Sequence, residues 1–168
     1  YASIVEENEE QAQSSETLVN LGAAFTAANN GTKALEFLSS ADESDNYELL
    51  YNTACAMIQA GNLTNAEACL RKAETCCRQS LEADECTPEE IDEEVAVILT
   101  QLAYVLQLGG DTSKASAIYK RVLKSKPTDP AVAAAASNNT VVIRKVLSYK
   151  TTMLLCGCYL MLILFFSP

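Results

Sequence analysis

The chain contains no histidine and no tryptophan, and it has only four prolines and six glycines in 168 residues. Histidine is the side chain most often used as a general base and as a metal ligand. Its absence excludes a Ser–His or Cys–His catalytic site, and the sequence offers no other catalytic constellation. We therefore predict that the protein is not an enzyme and uses no metal or cofactor. With 49% hydrophobic residues and few helix breakers, the composition favours an all-α fold with a buried core.

Positive charge is scarce in the first hundred residues. Residues 1–100 carry 20 acidic and 4 basic side chains, whereas residues 101–168 carry 2 acidic and 8 basic ones. Because phosphate contacts depend on Lys and Arg, this acidic body is a poor surface for direct nucleic-acid binding. The simplest interpretation is a solvated face. The alternative is an acidic groove that binds a basic peptide.

Disulfide and zinc patterns are also missing. The seven cysteines are an odd number, and their spacings match neither a disulfide framework nor a zinc site. Several fall where a helix would bury them, and a buried free cysteine packs as a small apolar residue. The cysteines therefore predict a reducing compartment, which we take to be the cytoplasm.

One seven-residue pattern occurs three times, with successive members separated by 3, 1, 3, 9, 4 and 3 positions. The copies are Leu18, Leu21, Gly22, Phe25, Ala34, Leu38, Ala41; Leu50, Thr53, Ala54, Met57, Ala66, Leu70, Ala73; and Leu99, Leu102, Ala103, Leu106, Ala115, Tyr119, Val122. This spacing is typical of the tetratricopeptide repeat, a helix–turn–helix unit of about 34 residues. Small residues at the helix crossings allow the two backbones of a pair to approach closely.

The pattern predicts a tetratricopeptide-type solenoid of about three helix pairs and a partial fourth. The predicted pairs are 16–28 with 32–41, 46–60 with 63–83, and 89–108 with 112–125, and the partial fourth begins at 131–136. We expect Thr32 to cap the second helix, and Thr87 with Pro88 to begin the fifth.

The repeats are unevenly spaced. The first two are 32 residues apart and the next two 49 apart. We assign the extra residues, mostly 80–94, to the extension of two helices and an acidic loop. Three regions follow: an acidic lead-in at 1–15, the repeat array at 16–143 and a tail at 144–168. A start at Tyr1 rather than Met predicts a piece of a longer protein.

Binding residues are expected on the first helix of each pair, because these helices line the concave face of such an array. The side chains there with reach and hydrogen-bonding capacity are Tyr51, Asn52, Gln101, Tyr104 and Gln107. Tyrosine is a frequent anchor at interfaces, and amides pair with peptide backbone. Intramolecular packing between repeats is the alternative role for each of them. A basic pair that would clamp a peptide's terminal carboxylate is absent.

Several segments resemble the family of the 72-kilodalton subunit of signal recognition particle. The run from Leu50 to Gly61 (LYNTACAMIQAG) is the most distinctive; 68–80, 101–108, 124–129 and 137–139 fit as well, and 6–10 and 20–25 fit less distinctively. The resemblance covers roughly residues 5–143. It implies a cytosolic ribonucleoprotein subunit with helical repeats, acting in cotranslational targeting to the endoplasmic reticulum.

The resemblance also implies a partner. The family's repeats bind the C-terminal segment of the particle's 68-kilodalton subunit, and its RNA contact lies in a later Lys-rich region that is absent here. Any association with the particle's RNA would then be indirect. A membrane-anchored repeat adaptor unrelated to the particle is the alternative.

The tail departs from the family after Ile143. Every residue from Met153 to Phe166 except Gly157 is apolar. As a helix, residues 151–168 would reach about 27 Å, close to the roughly 30 Å of a bilayer core. Three interpretations stay open: a truncated or aberrant end without function, a membrane anchor at 151–168 flanked by Arg144, Lys145 and Lys150, and a buried helix.

Overall fold

The computed structural model describes residues 15–38 and 46–166, without the side chains of 15, 16, 19 and 149–166. The only regular secondary structure in the described residues is α-helix. The predicted lead-in at 1–15 lies almost entirely outside the described residues. The helices are α1 (Ser15–Ala27), α2 (Gly31–Leu38), α3 (Tyr47–Gln59), α4 (Leu63–Ala83), α5 (Pro88–Leu108), α6 (Thr112–Ser125) and α7 (Pro130–Phe166). Consecutive helices pack against each other, and α1, α3, α5 and α7 also contact one another in turn. The predicted all-α repeat solenoid is confirmed.

The turns within the three helix pairs share one construction. Asn29, Gly61 and Gly110 adopt positive φ values of 56°, 79° and 89°, which end the first helix of each pair. The next residue is Asn or Asp, and its side chain accepts a hydrogen bond from the backbone N–H three positions on: Asn30 from Lys33, Asn62 from Asn65, and Asp111 from Lys114. The prediction that Thr32 caps α2 is therefore wrong. Asn30 does so, because α2 begins one residue earlier, at Gly31.

Most described positions of the repeated pattern are buried in the core, whereas Phe25 and Met57 are partly buried and Ala41 lies outside the described residues. The pattern's small residues Ala34, Ala54, Ala66, Ala103 and Ala115 have 0% exposure. Their large neighbours are buried beside them, including Leu38, Leu70 and Tyr119. The crossing of α1 and α2 shows why small residues are needed, since a Cβ added to Gly22 would lie 2.5 Å from Leu38 Cδ2.

The residues between the second and third repeats lengthen two neighbouring helices. Both α4 and α5 contain 21 residues, and a short turn joins them. Thr87 caps α5 in a reciprocal arrangement: its hydroxyl accepts from the Glu90 N–H, and the Glu90 carboxylate accepts from the Thr87 N–H. The predicted helix extension and the predicted start of α5 are confirmed.

Helix α7 begins as the first helix of a fourth repeat. Its buried Val132 and Ala136 repeat the spacing of Leu99 and Ala103. The positions that would form the next turn are Val142 and Ile143, which lack the conformational freedom of glycine or asparagine, and the helix continues through them. The boundary between 143 and 144 stays a prediction.

The membrane-anchor hypothesis concerns residues 151–168. Their side chains lie outside the described part of the structure, as do residues 167 and 168 altogether. Among the residues that were described, no helix is both long and apolar enough to cross a bilayer.

Candidate functional site

The contacts among the first helices place α1, α3, α5 and α7 side by side along one face of the array. We call this face the groove. In each pair the second helix, α2, α4 or α6, packs on the other side. Any elongated partner lying in the groove would therefore cross α3 and α5 in succession.

A cleft of about 230 Å³ opens between α3 and α5 on this face. Its walls come from one aromatic and acidic stretch of α3 and one acidic and aliphatic stretch of α5. The lining residues are Tyr47, Glu48, Tyr51, Asn52, Glu94, Val97 and Ile98. Two of the five predicted binding residues, Tyr51 and Asn52, thus lie together in one concave site.

The tyrosines of the cleft are held in their neutral form. Burial raises the pKa of Tyr51 well above its ordinary value, and its neighbour Cys55 adds to the shift. Burial also raises the pKa of the Cys55 thiol to about 11, so this cysteine is not a reactive thiolate at neutral pH. For Tyr47, burial raises the pKa most, followed by Glu94, then Cys77 and Glu48, and the pKa reaches about 12. At neutral pH the cleft therefore carries two neutral phenols.

The other three predicted residues lie further along α5. Gln101 and Tyr104 are half-buried and follow Val97 at helical spacing, so they continue its stripe along the groove. Gln107 is already used within the protein, since its side-chain oxygen accepts a hydrogen bond from the Tyr119 hydroxyl at 3.3 Å. That hydroxyl also accepts from Asn139 Nδ2 at 2.9 Å. Gln107 therefore takes part in a link between α5, α6 and α7.

Sequence reasoning missed Tyr47, Glu48, Glu94 and Val97. The predicted groove positions were counted from the first leucine of each repeat, Leu50 or Leu99. Residues in the preceding turn of each helix were therefore not considered. Glu94 lies on the extended part of α5, and Val97 lies two residues before Leu99, where the repeat pattern begins. Projecting the helical period backwards from Asn52 and Gln101 would have reached Glu48 and Val97, each four residues earlier.

A larger cavity of about 370 Å³ lies between α5 and α6 and is lined in part by Asp92, Arg121 and Lys124. Two of these charges, Asp92 and Arg121, are in ion pairs within the protein. Arg121 contacts Glu74 at 2.9 Å, and Arg78 reaches both Glu74 and Asp92 at 3.5 Å. These ion pairs link α4, α5 and α6, so we assign them a structural role. Within the described ranges, no cluster of three or more His, Cys, Asp or Glu side chains offers a metal site.

Comparison with known proteins agrees with the repeat fold. A tetratricopeptide-repeat family model matches residues 96–129, which include the second half of α5 and all of α6. Signal recognition particle subunit SRP72 of Homo sapiens is 41% identical over 131 residues, 77% of this chain and 19% of the relative. The Caenorhabditis elegans protein of the same name is 41% identical over 99 residues, and that of Dictyostelium discoideum 33% over 134. The chain thus spans about a fifth of the length of the curated relatives it matches.

Proposed function

The repeat array of this chain belongs to the family of signal recognition particle subunit SRP72, and on that premise we propose that it is a non-catalytic protein-binding scaffold of the particle. Its partner in this proposal is the C-terminal segment of the 68-kilodalton subunit, held in the groove. The setting is the cytoplasm, with association to the endoplasmic reticulum during cotranslational targeting.

The cleft between α3 and α5 is the observation that carries this proposal. It is concave, it lies where successive first helices meet, and it contains Tyr51, whose type often anchors protein interfaces. The helices that hold it are packed on the continuous core of α3 to α7. A site fixed in this way before binding loses little conformational entropy when a partner is bound.

Charge supports a protein partner over direct RNA contact. Residues 1–100 have five times as many acidic as basic side chains, and two of the acidic ones, Glu48 and Glu94, line the cleft. RNA phosphates would be repelled by such a surface. We therefore propose that the array contacts the particle's RNA only indirectly.

Calorimetric titration of the chain with the C-terminal segment of the 68-kilodalton subunit tests the proposal. We expect Tyr51→Ala to weaken binding at least about fivefold, because an aromatic anchor at an interface typically contributes more than about 1 kcal/mol. Tyr104→Ala tests whether the bound segment extends along α5 beyond the cleft. Gln79→Ala, an exposed position on α4 away from the groove, is the control and should bind as the unmodified chain does.

Circular dichroism of each variant must show unchanged helicity for the comparison to hold. Absence of binding by the unmodified, folded chain would overturn the proposed function. Equal binding by Tyr51→Ala and Gln79→Ala would place the interface outside the cleft.

A further inference from the structure

The cleft combines two carboxylates with an apolar lining. Glu48 lies in the first turn of α3 and Glu94 in the second turn of α5, and both are exposed. The same cleft is lined by Tyr51, the partly exposed Val97 and the buried Ile98. A ligand that fits this cleft must therefore present both positive charge and apolar surface.

Neither carboxylate is neutralised by the protein in the described part of the chain. Several acidic side chains of the array are paired with a base: Glu67 with Arg71, Glu74 with Arg78 and Arg121, Asp92 with Arg78, and Asp111 with Lys114. Glu48 and Glu94 form no such pair. Their charge is felt inside the cleft, because both carboxylates contribute to the raised pKa of Tyr47.

Three occupants are disfavoured by this chemistry. An anionic ligand would meet two like charges at short range. A wholly apolar side chain would remove water from the carboxylates without replacing it. A metal ion would find two carboxylates but no third ligand among the described residues.

We propose that the cleft between α3 and α5 binds a lysine or arginine side chain of the partner segment, with its charged end at Glu48 and Glu94 and its aliphatic stem against Tyr51, Val97 and Ile98. This inference rests on the proposed function and specifies the chemistry of that partner at one point. Long basic side chains carry apolar stems that cover surfaces of this kind. The Tyr47 and Tyr51 rings add a favourable surface for a cation.

The experiment compares two double variants in titrations with the same C-terminal segment of the 68-kilodalton subunit. Glu48→Gln with Glu94→Gln removes two negative charges from the cleft. Glu82→Gln with Glu89→Gln removes two from exposed positions outside it, so both proteins have the same net charge. We expect the cleft variant to bind about fivefold to tenfold more weakly at low salt, as two partly exposed ion pairs would give. The control should change affinity less than twofold.

A second arm identifies the residue of the partner. Each Lys and Arg of the segment is changed singly to Gln and titrated against the unmodified chain and the cleft variant. One of these substitutions should weaken binding to the unmodified chain and have little further effect on the cleft variant, which is the signature of a direct contact.

The outcomes separate this inference from the proposed function. Binding by the unmodified chain, with equal affinity for both double variants or no coupled position in the segment, overturns the inference and leaves the proposed function standing. Equal weakening by both double variants also overturns it, because the effect would then be long-range electrostatics. No binding by the unmodified chain overturns the proposed function and this inference together.

Discussion

Glu93 of α5 accepts hydrogen bonds from both the hydroxyl and the backbone N–H of Thr128, at 2.6 and 2.8 Å. The two residues are 35 positions apart in the chain. Glu93 lies on the extended part of α5, and Thr128 lies in the turn that leads into α7. One side chain of the inserted residues therefore fixes the entry of the fourth unit.

This contact predicts an acid-sensitive loss of stability. Hydrogen bonds from the Thr128 hydroxyl and backbone hold the pKa of Glu93 below its ordinary value. The stabilisation is therefore complete above the unfolded-state pKa of about 4.3 and disappears as the pH falls through the lower folded-state pKa. Glu93→Gln should lower the melting temperature at pH 7, and the difference from the unmodified chain should shrink as the pH falls below the unfolded-state pKa of about 4.3. Thermal melts across this range, with Glu89→Gln as control, check it; identical melting temperatures at pH 7 would contradict it.

Ala66 and Ala68 of α4 form a matched pair for testing the repeat register. Ala66 has 0% exposure at the crossing of α3 and α4, whereas Ala68 is exposed one face away. Ala66→Glu should cost several kcal/mol, about 3 or more, by overpacking and by burying an unpaired charge. Ala68→Glu should change stability by less than about 0.5 kcal/mol. Chemical denaturation measures both, and a similar midpoint for the two variants would show that the register is wrong.

The turn between α3 and α4 predicts a purely conformational effect. Gly61 has φ near 79°, and a Cβ added there would meet nothing within 4 Å. Gly61→Ala should therefore cost about 1 kcal/mol through backbone strain alone. Gly61→Asn should cost less, because Asn29 adopts the same conformation at the equivalent position. Equilibrium unfolding in urea ranks the variants, and equal losses for Ala and Asn would refute this explanation.

The hydrogen bonds of the Tyr119 hydroxyl predict a loss of stability at alkaline pH. Removing it in Tyr119→Phe leaves Gln107 and Asn139 without their shared partner and should cost about 1 kcal/mol at neutral pH. Burial raises the pKa of Tyr119 to about 12, from about 10 in the unfolded chain. The advantage of the unmodified chain is therefore present below pH 10 and is lost as the pH rises towards 12. Urea titrations at pH 7 and pH 11 measure it; an advantage that stays constant or grows would contradict the assignment.

The repeat pattern was predictable because it reflects packing. Close helix crossings require small residues at fixed intervals, so Ala34, Ala66 and Ala115 could be aligned from the sequence alone and all are fully buried. The start of α5 could also be predicted from the sequence, because Thr87, Pro88 and Glu90 form a local capping signal. The prediction that Thr32 caps α2 is wrong because Asn30, two residues earlier, can accept the same kind of hydrogen bond from a backbone N–H. The sequence alone does not show which of the two residues is the cap.

The acidic stretch at 89–94 was not predictable in this way. An acidic stretch of this kind is typical of a solvated helix end, yet its acidic side chains have separate roles. Glu90 caps its own helix, Asp92 pairs with Arg78, Glu93 binds Thr128 and Glu94 lines the cleft. The Glu90 cap is local, but the other three roles depend on which distant residue the fold brings alongside, and a local pattern contains no such information.

The hydrophobic core is divided into two clusters of unequal size, and this affects the order in which the helices unfold. The pair α1–α2 rests on a small cluster of Ala34, Leu38, Leu49 and Ala56, with Gln59 donating to the Thr26 carbonyl at 2.7 Å. The helices from α3 to α7 share one continuous core. Because a solenoid's stability is the sum of its units and their interfaces, α1–α2 opens first under mild denaturation. The cleft belongs to the part that remains folded at that point, so we expect binding competence to outlast the opening of α1–α2.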